Sequence, residues 1–132
     1  MAIRERSPVC YPANMQRDMD LIRDLLHAIE IEPKYNGTPE SWEQPELAIP
    51  GYSNDEVAYH LGLLIEAGFV IGNAETGSIS RLTWNGHELC DNIKDAGIWA
   101  KTKDRLKGLP GVGLTIIAAI AESEIKKHLG LQ

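Results

Sequence analysis

The stretch Ser53-Asn54-Asp55-Glu56-Val57-Ala58-Tyr59-His60-Leu61-Gly62-Leu63-Leu64-Ile65-Glu66-Ala67-Gly68-Phe69-Val70 spells out one helix from its start to its stop. Ser53 stands three residues before Glu56, the spacing of a capping box: the hydroxyl takes up a free N–H of the first turn and the glutamate reaches back. Val57, Leu61, Leu64 and Ile65 then form the buried stripe of an amphipathic helix. Gly68 follows where helices commonly end on a left-handed residue. At 100° per residue, the face turned away from that stripe carries Asp55, Tyr59, Gly62 and Glu66, with Leu63 at its edge.

Beyond this helix, Phe69-Val70-Ile71-Gly72 and Ile79-Ser80-Arg81-Leu82-Thr83-Trp84 flank the turn-rich Asn73-Ala74-Glu75-Thr76-Gly77-Ser78, which predicts a β-hairpin. Thr83 or Asn85 can cap the next helix, where Leu89 and Ile93 lie at i, i+4. Gly97 is read as an interruption, followed by a short helix over Ile98 to Lys107 and a last one from Leu114 to Leu129. Toward the N-terminus, residues 34–52 hold Gly37, Pro39, Pro45, Pro50 and Gly51, too many breakers for a helix, leaving room for one short strand at Glu46-Leu47-Ala48-Ile49. Met15, Met19, Ile22, Leu26 and Ile29 mark an earlier helical stripe, with Asn14 as its N-cap and Pro33 closing it.

The order helix, short strand, helix, two-stranded wing, helix defines an α+β, winged-helix-like fold with extra C-terminal helices. The domain limits follow: a tail over 1–14, the winged-helix-like domain over 15–96, and a helical extension over 97–132. The His60-Leu61-x-x-Leu64-x-x-Ala67-Gly68-Phe69-Val70 run resembles the recognition helix and first wing strand of winged-helix regulators. Leu82-Thr83-x-x-Gly86-His87-Glu88-Leu89 resembles the exit from their wing. The usual second helix has no room among the prolines of 33–51. A longer pattern comprises Met15-Gln16-Arg17-Asp18-Met19-Asp20-Leu21-Ile22-Arg23, Gly51-Tyr52-Ser53, Tyr59-His60-Leu61, Leu82-Thr83-Trp84-x-Gly86-His87-Glu88, Asp91-x-Ile93, Ile98-Trp99 and Lys101-Thr102-Lys103. It resembles a family of uncharacterised phage- and prophage-associated bacterial proteins of unknown function. That resemblance implies the fold and a mobile-element origin but no activity. It also makes Met15 an ancestral start, so that removing residues 1–14 should leave the melting temperature nearly unchanged.

A chain of 132 residues with 43% hydrophobic and 24% charged residues suits one globular domain with helical additions. Its two cysteines, Cys10 and Cys90, form no CxxC pair, which favours a reducing compartment over a disulfide framework. The N-terminus lacks a signal-peptide core. The apolar stretch Leu114 to Ala121 is broken by Thr115 and too short for a bilayer, so the expectation is a cytoplasmic protein without membrane contact.

Charge is distributed unevenly within the total of −6: residues 1–34 carry −1, residues 35–93 carry −8 with Arg81 as their sole cation, and residues 94–132 carry +3. No Lys or Arg occurs from Tyr35 to Ser80. A DNA-reading helix offers cations to phosphates and amide or guanidinium groups to base edges. Here the outward face offers two carboxylates, each costing about 0.7 kcal/mol at ~6 Å from a phosphate even in bulk water. That face, Asp55, Tyr59, Gly62, Leu63 and Glu66, is therefore expected to contact a protein partner. The alternative is a DNA-binding regulator using Arg81 in the wing and Lys101, Lys103, Arg105 and Lys107 on the basic helix, although cations near helix C-termini also answer the macrodipole without any ligand.

Other features are weaker. Leu109-Pro110-Gly111-Val112-Gly113 resembles the turn of helix-hairpin-helix modules, whose backbone N–H groups face a phosphate; an ordinary Gly/Pro loop is the default. His87-x-x-Cys90 offers two ligands where a zinc site needs more, and His27, His60 and His128 are single and scattered. No acid–base pair, Ser/His/Asp order or phosphate loop appears, so no enzyme, metal or cofactor is expected. Tyr52, Trp84 and Trp99 read as packing aromatics, with Trp42 as the aromatic exposed at an interface. On the last helix Ile116, Ile117, Ile120, Ala121 and Ile125 form a broad apolar face that suggests a homodimer seam.

Overall fold

Helix formation begins at Asp18, whose carboxylate accepts from the N–H groups of Asp20 (3.0 Å) and Leu21 (3.2 Å) and so satisfies two of the free donors of the first turn. The computed structural model describes residues 16–43, 47–109 and 112–131. Helix α1 runs Met19–Ile31 and buries Leu21, Ile22, Leu25, Leu26 and Ile29. Its cap is thus Asp18 and not Asn14, because only Asp18 stands next to the first helical residue. The tail over 1–14, Met15, Glu46 and the Pro110-Gly111 turn lie outside the described residues.

After α1 the Pro-rich segment forms one short 3-10 helix, Pro39–Glu43. The expected strand at 46–49 is absent from its described part, Leu47 to Ile49. Prolines 45 and 50 bracket these residues, and a proline offers no ladder N–H and constrains the residue before it. Ile49 is buried nonetheless.

Helix α2, Asn54–Glu66, starts on the capping box as read: the Ser53 hydroxyl accepts from Glu56 N–H (3.1 Å) and the Glu56 carboxylate accepts from Ser53 N–H (3.0 Å). It ends in a Schellman turn, with Gly68 N–H on the Ile65 carbonyl, Phe69 N–H on the Leu64 carbonyl, and Gly68 at φ +85°. Strands β1 (Val70–Asn73) and β2 (Ser78–Leu82) form an antiparallel pair with Val70 opposite Leu82 and Ile71 opposite Arg81. The register slips between Ile71 and Gly72, which faces Ile79, so Ser80 is the extra residue of a bulge. The bulge lets neighbouring Ile79 and Ser80 both be buried while Arg81 points out. Gly37 N–H donates to the Ser80 carbonyl (3.1 Å), laying the segment after α1 along β2.

Helix α3 spans Trp84–Ile93. Thr83, one of the two caps read from the sequence, performs three tasks: its hydroxyl accepts from Gly86 N–H (3.0 Å) and donates to the Gly68 carbonyl (2.6 Å), and its N–H meets the Phe69 carbonyl (3.0 Å). The chain divides into two compact units between His87 and Glu88. In the first, α1 packs on α2 and β2, and α2 packs on β1, around Leu21, Leu25, Leu26, Val57, Leu61, Leu64, Val70 and Leu82.

The second unit contains α4 (Ala96–Arg105) packed on α5 (Leu114–His128). Asp95 caps α4 by accepting from Ile98 N–H at 2.9 Å. Gly97 is therefore part of the first turn, where it costs little, and not an interruption. Ile98, Trp99 and Thr102 of α4 are buried, as are Ile117, Ala121 and Glu124 of α5. The broad apolar face of α5 divides: Ile117 and Ala121 are buried, Ile120 and Ile125 are half-buried, and Ile116 is exposed. The described residues thus form a mixed α+β protein of five α-helices and a two-stranded antiparallel sheet. No described helix is long and apolar enough to cross a membrane.

Candidate functional site

The capping box fixes where α2 starts and therefore which side chains face out. Asp55 and Glu66 are exposed and Tyr59 is 40% exposed. Leu63 and Gly62 are half-buried; a Cβ at Gly62 would lie 3.7 Å from the Ala74 side chain, so the hairpin tip shares this part of the face. The structure therefore brings Asp55, Tyr59 and Glu66 to solvent on one helix and withdraws Gly62 and Leu63 partly beneath them. No described cation forms an ion pair with Asp55 or Glu66.

Behind Tyr59, edge-on to its ring at 5.7 Å, lies His60. It is 2% exposed, on the packed side of α2. Its Nδ1 lies 2.8 Å from the Glu56 carbonyl oxygen, which can only accept, so Nδ1 carries the proton. Nε2 then accepts from the backbone N–H of Asp18 at 2.8 Å. The ring ties the start of α1 to α2 and sets the orientation of the outward face. A lone histidine gives no sequence signal for this, because its partner lies 42 residues away.

The cations expected at a nucleic-acid interface belong to different elements, in different units. Arg81 is on β2, where Nη1 donates to the Leu82 carbonyl (2.9 Å) and the stem crosses Gly37. Lys101, Lys103, Arg105 and Lys107 are exposed around α4. Arg105 donates to the buried Glu124 carboxylate at 2.9 Å, Lys107 pairs with Asp104 at 3.4 Å, and the Lys103 ammonium lies 5.9 Å from the Trp99 ring centre. The hydrogen bond from Arg105 holds the Glu124 carboxyl below its usual range, and Lys127 at 3.6 Å adds to it against the opposing effect of burial. Much of this positive charge is thus occupied within the unit.

Residues 16–113 match the family described as hypothetical protein (DUF2513). The chain belongs to this family. This DUF2513 member is also similar to an uncharacterised protein of Haemophilus influenzae, 31% identical over 124 residues that cover 87% of this chain and 99% of the relative. No solved structure matches it.

One aromatic, Trp84, departs from its reading as a packing residue. Trp84 is 77% exposed, more than Trp42 at 40%. The sequence placed Trp84 at the end of a β-prone run, but β2 ends at Leu82 and α3 begins at Trp84, so the indole turns outward. Trp99 is buried as read. Tyr35, which the sequence did not single out, is buried with no hydrogen-bond partner for its hydroxyl among the described residues. Burial, with Glu32 adding to it, raises its pKa above the ordinary value of 10.0. The His87 and Cys90 of α3 are separated by environment, His87 being exposed and Cys90 buried. No group of three or more metal-ligating side chains occurs among the described residues.

Proposed function

We propose that this protein is a non-enzymatic, winged-helix-like binding module of mobile-element origin, a cytoplasmic adaptor or regulator that contacts a protein partner through α2. The observation that supports this reading is the exposed trio Asp55, Tyr59 and Glu66, an aromatic between two carboxylates with no cation paired to either among the described residues. A tyrosine joins large apolar area to a polar tip at low entropic cost and is favoured at interface centres. The flanking carboxylates repel a polyanion and select a basic partner surface.

The test places a photo-crosslinking residue at Tyr59 in the native host. A discrete protein adduct is expected, and it should disappear when Asp55→Arg and Glu66→Arg are combined. A parallel titration with duplex DNA across salt concentrations decides the alternative role as a DNA-binding regulator. Micromolar DNA binding with a steep salt slope, abolished by charge reversal at Lys103 and Lys107, would overturn protein contact as the sole role. The occupied cations of α4 argue against that outcome.

A further inference from the structure

Within the first unit, Tyr35, Asn36, Arg81, Trp84, Glu30 and His87 line a groove of about 350 Å³. None of them belongs to the α2 face. From this groove we propose a second site: it binds a nucleobase carrying a phosphate, with the base stacked on Trp84 and the phosphate held by Arg81.

Four observations converge on that chemistry. An indole left three-quarters exposed presents a flat π-face, and such faces hold bases of any sequence by stacking. The Arg81 guanidinium spends one N–H contact on the Leu82 carbonyl and forms no ion pair with a carboxylate among the described residues. Its planar fork keeps donors that match phosphate oxygens. Its stem is steadied over Gly37, where a Cβ would come within 3.1 Å, so the head is positioned by packing.

The third observation is Tyr35. At 7% exposure its hydroxyl is buried and unpartnered among the described residues. A buried donor left unmet costs the fold stability, and a ligand acceptor arriving in the groove would satisfy this one. Fourth, the remaining wall supplies Glu30, with His87 Nδ1 at 3.7 Å beside it, a carboxylate able to accept from an exocyclic base amine. The groove's volume is at the small end of ligand sites and matches one nucleotide, not an extended cofactor.

Two sources share this chemistry, a free mononucleotide and one residue of a single strand. The experiment is calorimetric titration of the full chain with AMP, GMP, CMP and UMP, their nucleosides, and tetranucleotides of each base. At least one mononucleotide should bind. Trp84→Ala should weaken it about 5- to 150-fold, with Trp84→Phe between. Arg81→Gln should weaken the nucleotide about tenfold or more and leave the nucleoside unchanged. Tyr35→Phe should lower affinity several-fold without lowering the melting temperature. Trp84 and Arg81 are exposed, so their variants keep the fold, which melting curves verify. A tetranucleotide binding much more tightly than its mononucleotide assigns the single strand, and equal affinities assign the free nucleotide. No binding of any probe at low millimolar concentration, an affinity unmoved by Trp84→Ala, or equal losses for nucleotide and nucleoside in Arg81→Gln overturns the site. The α2 reading stands or falls separately, since Asp55→Arg with Glu66→Arg should leave these titrations unchanged.

Discussion

Replacing His60 by leucine removes the bond that ties α1 to α2 while nearly conserving volume. The consequences at the two ring nitrogens are unequal. The Glu56 carbonyl, 2.8 Å from Nδ1, sits inside α2 and keeps the helix's own i, i+4 bond when the ring is lost. The Asp18 N–H, 2.8 Å from Nε2, loses its partner at the part-buried start of α1. One orphaned donor costs about 1–3 kcal/mol, or about 4–12 °C in melting temperature for a protein of this size. His60→Gln, whose amide oxygen can accept in place of Nε2, should lose about half as much. Thermal melts give the stability order wild type, glutamine, leucine. Amide hydrogen exchange at Asp18 should accelerate in the leucine variant beyond what the global change explains. If His60→Leu melts with the wild type and the Asp18 amide exchanges at an unchanged rate, the bridge does not hold these helices.

Gly86→Ala places a Cβ 2.1 Å from the Phe69 carbonyl oxygen and should cost at least about 2–3 kcal/mol by chemical denaturation, since backbone must move. Gly62→Ala, 3.7 Å from Ala74, should be neutral or stabilise by up to about 1 kcal/mol in the same assay. Glu124 has a folded pKa below its unfolded value of 4.5, through the Arg105 hydrogen bond first; its contribution is present above that value and disappears as pH falls through the depressed folded pKa. Arg105→Met should flatten the acid limb of a stability–pH profile in that window. Tyr35 has a folded pKa raised above 10.0, so it resists ionisation and the fold loses stability as pH rises beyond 10.0. Tyr35→Phe should shift the alkaline unfolding midpoint upward and raise stability at neutral pH by about 1 kcal/mol.

Local signals carried most of the architecture. Ser53, Glu56 and Gly68 act through neighbours within five residues, and the α2 limits they imply match its observed start and stop. The hairpin and α5 were likewise legible from turn residues and apolar period. The misses have three physical origins: a partner distant in sequence, a change of periodicity, and flanking prolines that deny a ladder its N–H groups. Asp18 caps α1 with its N–H taken by His60; the bulge at Ser80 and the abrupt start of α3 turn Trp84 outward; Leu47 to Ile49 have the composition of a strand but lie between prolines. At the α2 face the exposure of Asp55, Tyr59 and Glu66 followed from angle alone. The partial cover of Gly62 and Leu63 did not, because it depends on where the hairpin tip lies.

The Gly37–Ser80 bond has a consequence for solubility. A two-stranded ribbon with a bare outer edge is a template to which a strand of another molecule can add. The Gly37 N–H occupies the Ser80 carbonyl and the Pro39–Glu43 helix packs on β2, so this segment covers part of the edge, and shortening it should favour self-association through β2. The least regular part of the chain thus lies where a foreign strand would otherwise add.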